Sequence, residues 1–162
     1  MRTKAIVTED YTNYKVPALF IGCITCDCKC CTDGGFSPSV CINNSWDLAP
    51  VKEIDDDQII KKYLQNPITH AVVFGLLEPI LQYDEIKDFI YKLRSEYMCD
   101  DDVVIYTGYY EYEIDEIVAE LSSLFNNIVI KFGRFIPDCT KHFDEVLGVD
   151  LASDNQYAKR IS

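Results

Sequence analysis

Cysteine is the residue whose spacing points most directly to chemistry in this chain of 162 residues. Six of the eight cysteines fall between Cys23 and Cys41, while Cys99 and Cys139 stand alone. Thiolates held this close together repel one another unless a metal binds them. A disulfide framework suits short secreted domains, but no apolar leader follows Met1, and 48% hydrophobic residues can supply a core without cross-links. The segment therefore predicts a metal site, and Cys99 and Cys139 are interpreted as ordinary thiols.

The metal in such a site is either zinc or an iron–sulfur cluster. Structural zinc sites often use two separated pairs of ligands and frequently include histidine. The two histidines here, His70 and His142, lie far from the cysteine segment. A single dense group of cysteines is more typical of a [4Fe-4S] cluster. The spacing favours the cluster and leaves zinc as an alternative.

Four short apolar runs predict buried strands, and they alternate with segments of helical periodicity. We expect strands at residues 16–22, 71–74, 103–106 and 128–132, and helices at about 56–65, 83–97 and 112–125. This alternation predicts an α/β fold with a parallel sheet, in a single domain that spans residues 1–162. Beyond Gly133 the pattern weakens into a polar tail with one apolar patch, Val146-Leu147-Gly148-Val149.

The loops that follow parallel strands meet at the carboxyl edge of the sheet, where ligands bind. Four loops each follow a predicted strand: the cysteine segment, the turn from Gly75 to Pro79, the turn from Thr107 to Tyr109 and the pair Gly133-Arg134. We therefore expect these four loops to line one edge together.

Four stretches of the chain also carry a family likeness. They are Cys26-Asp27-Cys28-Lys29-Cys30 with Val40-Cys41-Ile42-Asn43, then residues 73–79, then Tyr106-Thr107-Gly108-Tyr109, and finally residues 147–156. In this order they resemble the radical S-adenosylmethionine (radical SAM) superfamily, and within it the activating proteins of anaerobic ribonucleotide reductase. Ten residues separate Cys30 from Cys41, so the cysteine loop carries an insertion relative to that family.

The resemblance implies a partial (β/α) barrel-like parallel sheet, with a long cysteine-bearing loop after the first motif strand. It implies that Cys26, Cys30 and Cys41 hold a [4Fe-4S] cluster and leave one iron open for S-adenosyl-L-methionine. Gly75, Glu78, Thr107 and Tyr109 are the positions expected to bind that molecule. Its reductive cleavage to a 5′-deoxyadenosyl radical would install a glycyl radical on a larger, ribonucleotide reductase-like partner, with an electron donor supplying the electron.

Several alternatives stay open at this level. Cys23, Cys28 and Cys31 form a second compact trio of cysteines. A cluster with all four irons capped would serve electron transfer or structure alone, and a degenerate site would make the chain a non-catalytic iron–sulfur or zinc module. Glu78 beside Pro79 also suits an ordinary helix start.

The turn that carries Glu78 departs from the family pattern in one respect. Leu76 and Leu77 stand where the family has two glycines. Glycine permits close backbone approach and unusual dihedral angles that leucine disfavours, so we expect either a different turn or altered cofactor binding at this position.

The charge balance limits the classes of partner. The formal net charge is −12, which argues against binding to a phosphate backbone. No apolar run approaches the roughly 18 residues of a membrane span, and no signal peptide is visible, so a cytoplasmic location is expected. An acidic surface suits a protein partner whose docking face is basic.

Overall fold

The four predicted strands form the centre of one sheet. The computed structural model describes residues 1–162, and its central strands are β3 (Ala18–Gly22), β5 (Ala71–Gly75), β6 (Asp102–Tyr106) and β7 (Ile128–Phe132). They run parallel to one another in that order. The mixed α/β architecture and the parallel centre of the sheet are therefore confirmed.

Two strands that the sequence did not indicate complete this sheet at its edges. Strand β2 (Ala5–Asp10) pairs antiparallel with β3, and β10 (Tyr157–Arg160) pairs antiparallel with β7. The result is an open, mixed, six-stranded sheet, and its strands do not close into a barrel. The shorter strands β1 (Arg2–Thr3) and β4 (Lys52–Glu53) form a separate antiparallel pair.

Three helices pack against one face of the sheet, as the apolar periodicity predicted. They are α2 (Asp56–Leu64), α3 (Tyr83–Ser95) and α4 (Asp115–Leu124). The side of α3 formed by Ile86, Phe89, Ile90 and Leu93 is buried in a core cluster of 22 residues. Acidic residues occupy the first turn of each helix, where they interact favourably with the helix dipole.

The opposite face of the sheet is covered by the segment predicted to be a polar tail. This segment forms a hairpin of β8 (His142–Asp144) and β9 (Val149–Leu151). Leu147 and Leu151 from the hairpin join Val73, Val104 and Val129 from the sheet in a second core cluster of eight residues. The apolar patch at residues 146–149 lies in this hairpin, and its Leu147 is buried. The two strands themselves were not predicted, because strands of three residues are too short to show a sequence period.

The cysteine segment also contains structure of its own. A short helix, α1 (Lys29–Gly34), lies within it, followed by two 3₁₀ turns at Pro38–Val40 and Asn44–Leu48. None of the four helices has the length and apolarity that crossing a bilayer requires.

Candidate functional site

A cavity of about 570 Å³ opens where the strand ends meet the cysteine segment. Five cysteines line it, namely Cys26, Cys28, Cys30, Cys31 and Cys41. Gly75, Glu78 and Thr107, from two of the neighbouring strand ends, line the same cavity. A volume of this size lies in the range of small-molecule sites in proteins.

Cys23 is placed differently from the other cysteines of the segment. It ends up in the core, 2% exposed, and does not line the cavity. Its backbone N–H donates to the carbonyl of Gly75 at 2.8 Å, so it continues the pairing of β3 with β5. Burial raises the pKa of the Cys23 thiol far above its usual value. In the alternative trio of Cys23, Cys28 and Cys31, one member, Cys23, therefore does not border the cavity.

The thiols of Cys26 and Cys30 each accept a hydrogen bond from a backbone N–H. The donor to Cys26 Sγ is the N–H of Cys28 at 3.3 Å, and the donor to Cys30 Sγ is the N–H of Phe135 at 3.4 Å. Burial raises the pKa of Cys26 to about 12, against the opposing effect of that N–H. These thiols are therefore protonated at neutral pH, and a bound metal would have to displace their protons.

Gly108 allows the cysteine segment to approach the end of β6. A Cβ atom at this position would lie 3.0 Å from Cys30 Sγ and 3.4 Å from Glu78 Oε2. The absence of a side chain at Gly108 thus brings a thiol and a carboxylate to the same point of the cavity wall.

Glu78 is 5% exposed and is held by three donors. Its Oε1 accepts from Thr107 Oγ1 at 2.6 Å and from the N–H of Ile80 at 3.1 Å, while Oε2 accepts from the N–H of Gly108 at 2.8 Å. Burial raises the pKa of Glu78, and the three hydrogen bonds oppose this effect. Glu78 caps the 3₁₀ turn Pro79–Gln82, as the helix-start interpretation predicts, and it also ties two strand ends together.

The turn with two leucines keeps an unusual backbone. Leu76 has a φ of 74°, in the left-handed region that favours glycine, and the N–H of Leu77 donates to the carbonyl of Gly75 at 3.1 Å. The Leu76 side chain lines the cavity, and its Cδ2 would lie 2.8 Å from a Cβ atom at Gly22. Leu76 therefore adopts a backbone conformation that glycine adopts readily, but its side chain occupies part of the cavity wall where a glycine would have none.

Tyr109 is not among the residues that line the cavity. Its hydroxyl donates to Asp27, and its ring lies beneath the cations of Lys29 and Arg134. That Tyr109 binds S-adenosyl-L-methionine stays a prediction, and here its side chain contacts Asp27 and Lys29 of the cysteine segment.

Arg134, from the pair predicted to line the carboxyl edge of the sheet, is 4% exposed. Its Nε donates to Asp33 at 2.9 Å, one terminal nitrogen donates to Glu113 at 2.8 Å, and the other donates to the carbonyl of Gly108. Asp33 belongs to α1, and Lys29 of the same helix pairs with Glu113 at 2.9 Å. Arg134 therefore fastens the cysteine segment to the ends of two strands.

Across the whole chain, no three His, Cys, Asp or Glu side chains converge closely enough to hold a single metal ion. Five cysteines border one cavity, and thiolates are the usual ligands of iron–sulfur clusters.

A sequence model of the 4Fe-4S single cluster domain family matches residues 16–149, which is most of the chain. The chain belongs to this family. No curated protein and no solved structure matches it. Membership makes the chain an iron–sulfur protein, so the cluster is favoured over zinc. The match includes all six cysteines of the segment, together with Glu78 and Thr107.

The residues present fit a cluster of this family. Thiols are its usual ligands, and those of Cys26, Cys30 and Cys41 border one cavity from two parts of the segment. Cys99 and Cys139 lie apart from the cavity; Cys99 is 8% exposed within the core, and Cys139 Sγ donates to Asp154 at 3.4 Å.

Two residues of the cavity were missed from the sequence. Lys131 lies in a predicted buried strand, and a lysine inside an apolar run is the signal that could have identified it. Gln156 had no role assigned; it is 6% exposed, and its amide donates to the carbonyl of Gly133 at 3.4 Å. Both lie on the cavity wall.

Proposed function

We propose that this iron–sulfur protein is a radical SAM enzyme of the glycyl-radical-activating type. In this proposal Cys26, Cys30 and Cys41 hold the [4Fe-4S] cluster, and S-adenosyl-L-methionine binds against Gly75, Glu78 and Thr107. The observation that carries the proposal is the common cavity, because all six of these residues line it. The open sheet, with its helices on one face and the cavity on the other, suits the incomplete barrel of that superfamily.

The chemistry that the bound cluster supplies is one electron for breaking the sulfur–C5′ bond, which yields methionine and a 5′-deoxyadenosyl radical. The chain's own residues prepare the site. The N–H groups of Cys28 and Phe135 point at the sulfurs of Cys26 and Cys30, where they stabilise negative charge on the ligands.

Glu78 is the residue suited to bind the ammonium group of the methionine moiety. Its two carboxylate oxygens offer about four acceptor positions, and three of these are used by Thr107, Ile80 and Gly108. In this proposal the ammonium group donates to the remaining position, since Glu78 lines the cavity. Because the three donors fix the carboxylate, little conformational entropy is lost when a substrate binds it.

The partner in this proposal is a larger glycyl radical enzyme that resembles anaerobic ribonucleotide reductase. The chain has a formal net charge of −12, so a complementary docking face on the partner would be basic. A separate electron donor must reduce the cluster, since the chain itself offers no second dense group of cysteines.

The test uses the full chain, reconstituted anaerobically with iron and sulfide. We expect reduction with dithionite in the presence of S-adenosyl-L-methionine to produce 5′-deoxyadenosine. A fully loaded and reduced protein that forms none would overturn the enzymatic proposal and leave the iron–sulfur assignment intact.

A second candidate function is electron transfer, or a structural role for the cluster. It is favoured by Cys28 and Cys31, which line the same cavity and could supply a fourth thiolate. A fourth thiolate would cap the open iron. A perturbation of the reduced cluster's electron paramagnetic resonance (EPR) spectrum on adding S-adenosyl-L-methionine would contradict this candidate, and an unchanged spectrum would support it.

A further inference from the structure

Lys131 is a buried cation in the middle of an otherwise apolar strand. All five residues of β7 are buried, and Lys131 itself is 6% exposed. Its side chain lies on the cavity side of the sheet, where it forms part of the cavity wall. Lysine is almost never buried without a partner that offsets its charge.

The hydrogen bonds of Lys131 do not offset that charge. Nζ donates to the carbonyl oxygens of Gly133 at 2.9 Å and Thr107 at 3.4 Å, and Lys131 takes part in none of the ion pairs of the chain. Burial lowers the pKa of Lys131 to about 8, against the attraction of Cys30 and Glu78. Burying an ammonium group without a paired anion costs several kcal/mol.

The thiol of Cys30 and the carboxylate of Glu78 line the same cavity as Lys131, and both favour its charged form. The carboxylate of Glu78 is already bound by three donors from its own loop and from the end of β6. Cys30 has one weak backbone donor, the N–H of Phe135 at 3.4 Å, and its Sγ lies next to Gly108, at the end of the strand beside β7. Cys30 is therefore the site where added negative charge would interact most directly with the ammonium group.

We propose that Lys131 is the counter-ion of the iron–sulfur cluster and raises its reduction potential. The inference rests on one part of the proposed function, the ligand role of Cys30, and does not depend on S-adenosyl-L-methionine. A [4Fe-4S]2+ core with three thiolates carries one net negative charge, and reduction adds a second. A fixed cation in a low-dielectric site stabilises the reduced form more than the oxidised form.

The experiment is a potentiometric titration, followed by EPR, of the anaerobically reconstituted full chain without S-adenosyl-L-methionine. Lys131→Met removes the charge and keeps the length of the side chain. In this variant we expect the equilibrium constant for reduction of the cluster to fall at least tenfold, which corresponds to a reduction potential about 59 mV more negative for one electron. The matched control, Lys61→Met, removes the same charge from an exposed position of α2 and should leave the potential unchanged.

A second variant guards against misfolding of the first. Lys131→Gln retains an amide that can donate to the carbonyls of Gly133 and Thr107 but carries no charge, and it should lower the potential as Lys131→Met does. A loaded Lys131→Gln protein with the wild-type potential would overturn the proposal. This holds whether or not the variant binds S-adenosyl-L-methionine more weakly. Failure of the wild-type chain to take up a cluster would instead overturn the ligand assignment, and this inference with it.

Discussion

At the scale of single residues, the cysteines of the segment have separate roles. Cys23 is part of the core, whereas Cys26, Cys28, Cys30, Cys31 and Cys41 border the cavity. Cys31 is close enough to other thiols that its pKa, raised mainly by burial, is raised further by Cys41, Cys28 and Cys30. The choice of ligands among five neighbouring thiols is therefore the first question for mutagenesis.

We expect Cys26→Ala, Cys30→Ala and Cys41→Ala each to abolish cluster loading, because each removes one of three ligands. Iron content and the visible thiolate-to-iron absorption of the reconstituted protein measure this. Cys139→Ala, which changes a thiol outside the cavity, should load like the wild type. Loss of the cluster in Cys28→Ala and Cys31→Ala, with retention in Cys26→Ala, would show that the ligand assignment is wrong.

Glu78→Gln tests the role of the carboxylate in substrate binding. A hydrogen bond to a charged group contributes about 1.5–3 kcal/mol, so we expect the KM for S-adenosyl-L-methionine in 5′-deoxyadenosine formation to rise at least tenfold. The iron content should stay at the wild-type level. Thr107→Val, which keeps the carboxylate and removes one of its donors, should have a smaller effect on KM. An unchanged KM in Glu78→Gln would leave Glu78 with only its capping role.

At the scale of structural elements, the turn after β5 and the end of β3 share a tight contact. Adding a Cβ atom in Gly22→Ala places it 2.8 Å from Leu76 Cδ2, so the leucine must move. Overpacking of this kind costs about 1–3 kcal/mol of unfolding free energy. In a Leu76→Ala background the same change should cost less than half as much, as measured by urea unfolding of all four proteins. Equal costs in both backgrounds would mean that Ala5, the other near neighbour, limits the space.

Glu113 links the cysteine segment to the strand ends and should make stability depend on pH. Burial raises its pKa, but Arg134, the N–H of Tyr110 and Lys29 outweigh this and lower the pKa to about 2, from an ordinary value of 4.5. Because the folded value is the lower one, the stabilisation is complete above about pH 4.5 and is lost as the pH falls towards 2.

On acidification from about pH 6 to pH 3, the unfolding free energy should fall in both proteins. Allowing for solvent screening, we expect the fall in Glu113→Gln to be smaller than in the wild type by about 1–2 kcal/mol. Urea unfolding at about pH 6 and pH 3 measures the difference. Glu96→Gln removes the same charge from an exposed position and serves as the control. Parallel pH profiles for the wild type and Glu113→Gln would contradict the link.

At the scale of the whole molecule, the core does not depend on the metal. Buried side chains form a hydrophobic core of 22 residues on one face of the sheet and another of eight residues on the other face. Among the cysteines, only Cys23 and Cys99 belong to these cores. Arg134 also fastens the cysteine segment by direct bonds to Asp33 and Glu113. This differs from zinc fingers, which are unfolded without their metal.

We therefore expect the chain to stay folded after its iron is removed by a chelator under reducing conditions. Far-UV circular dichroism should keep the helical and strand signal of the loaded protein, and thermal unfolding should remain cooperative. The Cys30→Ala variant, which cannot complete the ligand set, should give the same spectrum. An unfolded metal-free chain would show that the cluster supplies part of the folding energy.

The central part of this fold was predictable from local sequence. Strands β5 and β7 are apolar runs, and α3 shows a clear period, because these elements bury whole faces in the core. The edge strands were not predictable in the same way. Strand β10, with the sequence Tyr-Ala-Lys-Arg, has no apolar period, and its position depends on pairing with β7 and on ion pairs such as that of Arg160 with Asp102.

The candidate site was predictable to a similar extent. The rule that loops meet at the carboxyl edge correctly placed Cys26, Cys30, Cys41, Glu78 and Thr107 around one space. It could not show that Tyr109 lies outside the cavity lining or that Lys131 forms part of it, because both depend on the direction in which a side chain points.

The cavity wall combines residues that are far apart in the sequence. Gln156 forms part of the wall together with the cysteine segment, Asn155 donates to the carbonyl of Arg134, and β10 directly follows these two residues. The cavity is therefore complete only when β10 has paired with β7 at the edge of the sheet. Loss of that edge strand would open the wall opposite the cysteines without touching any thiol.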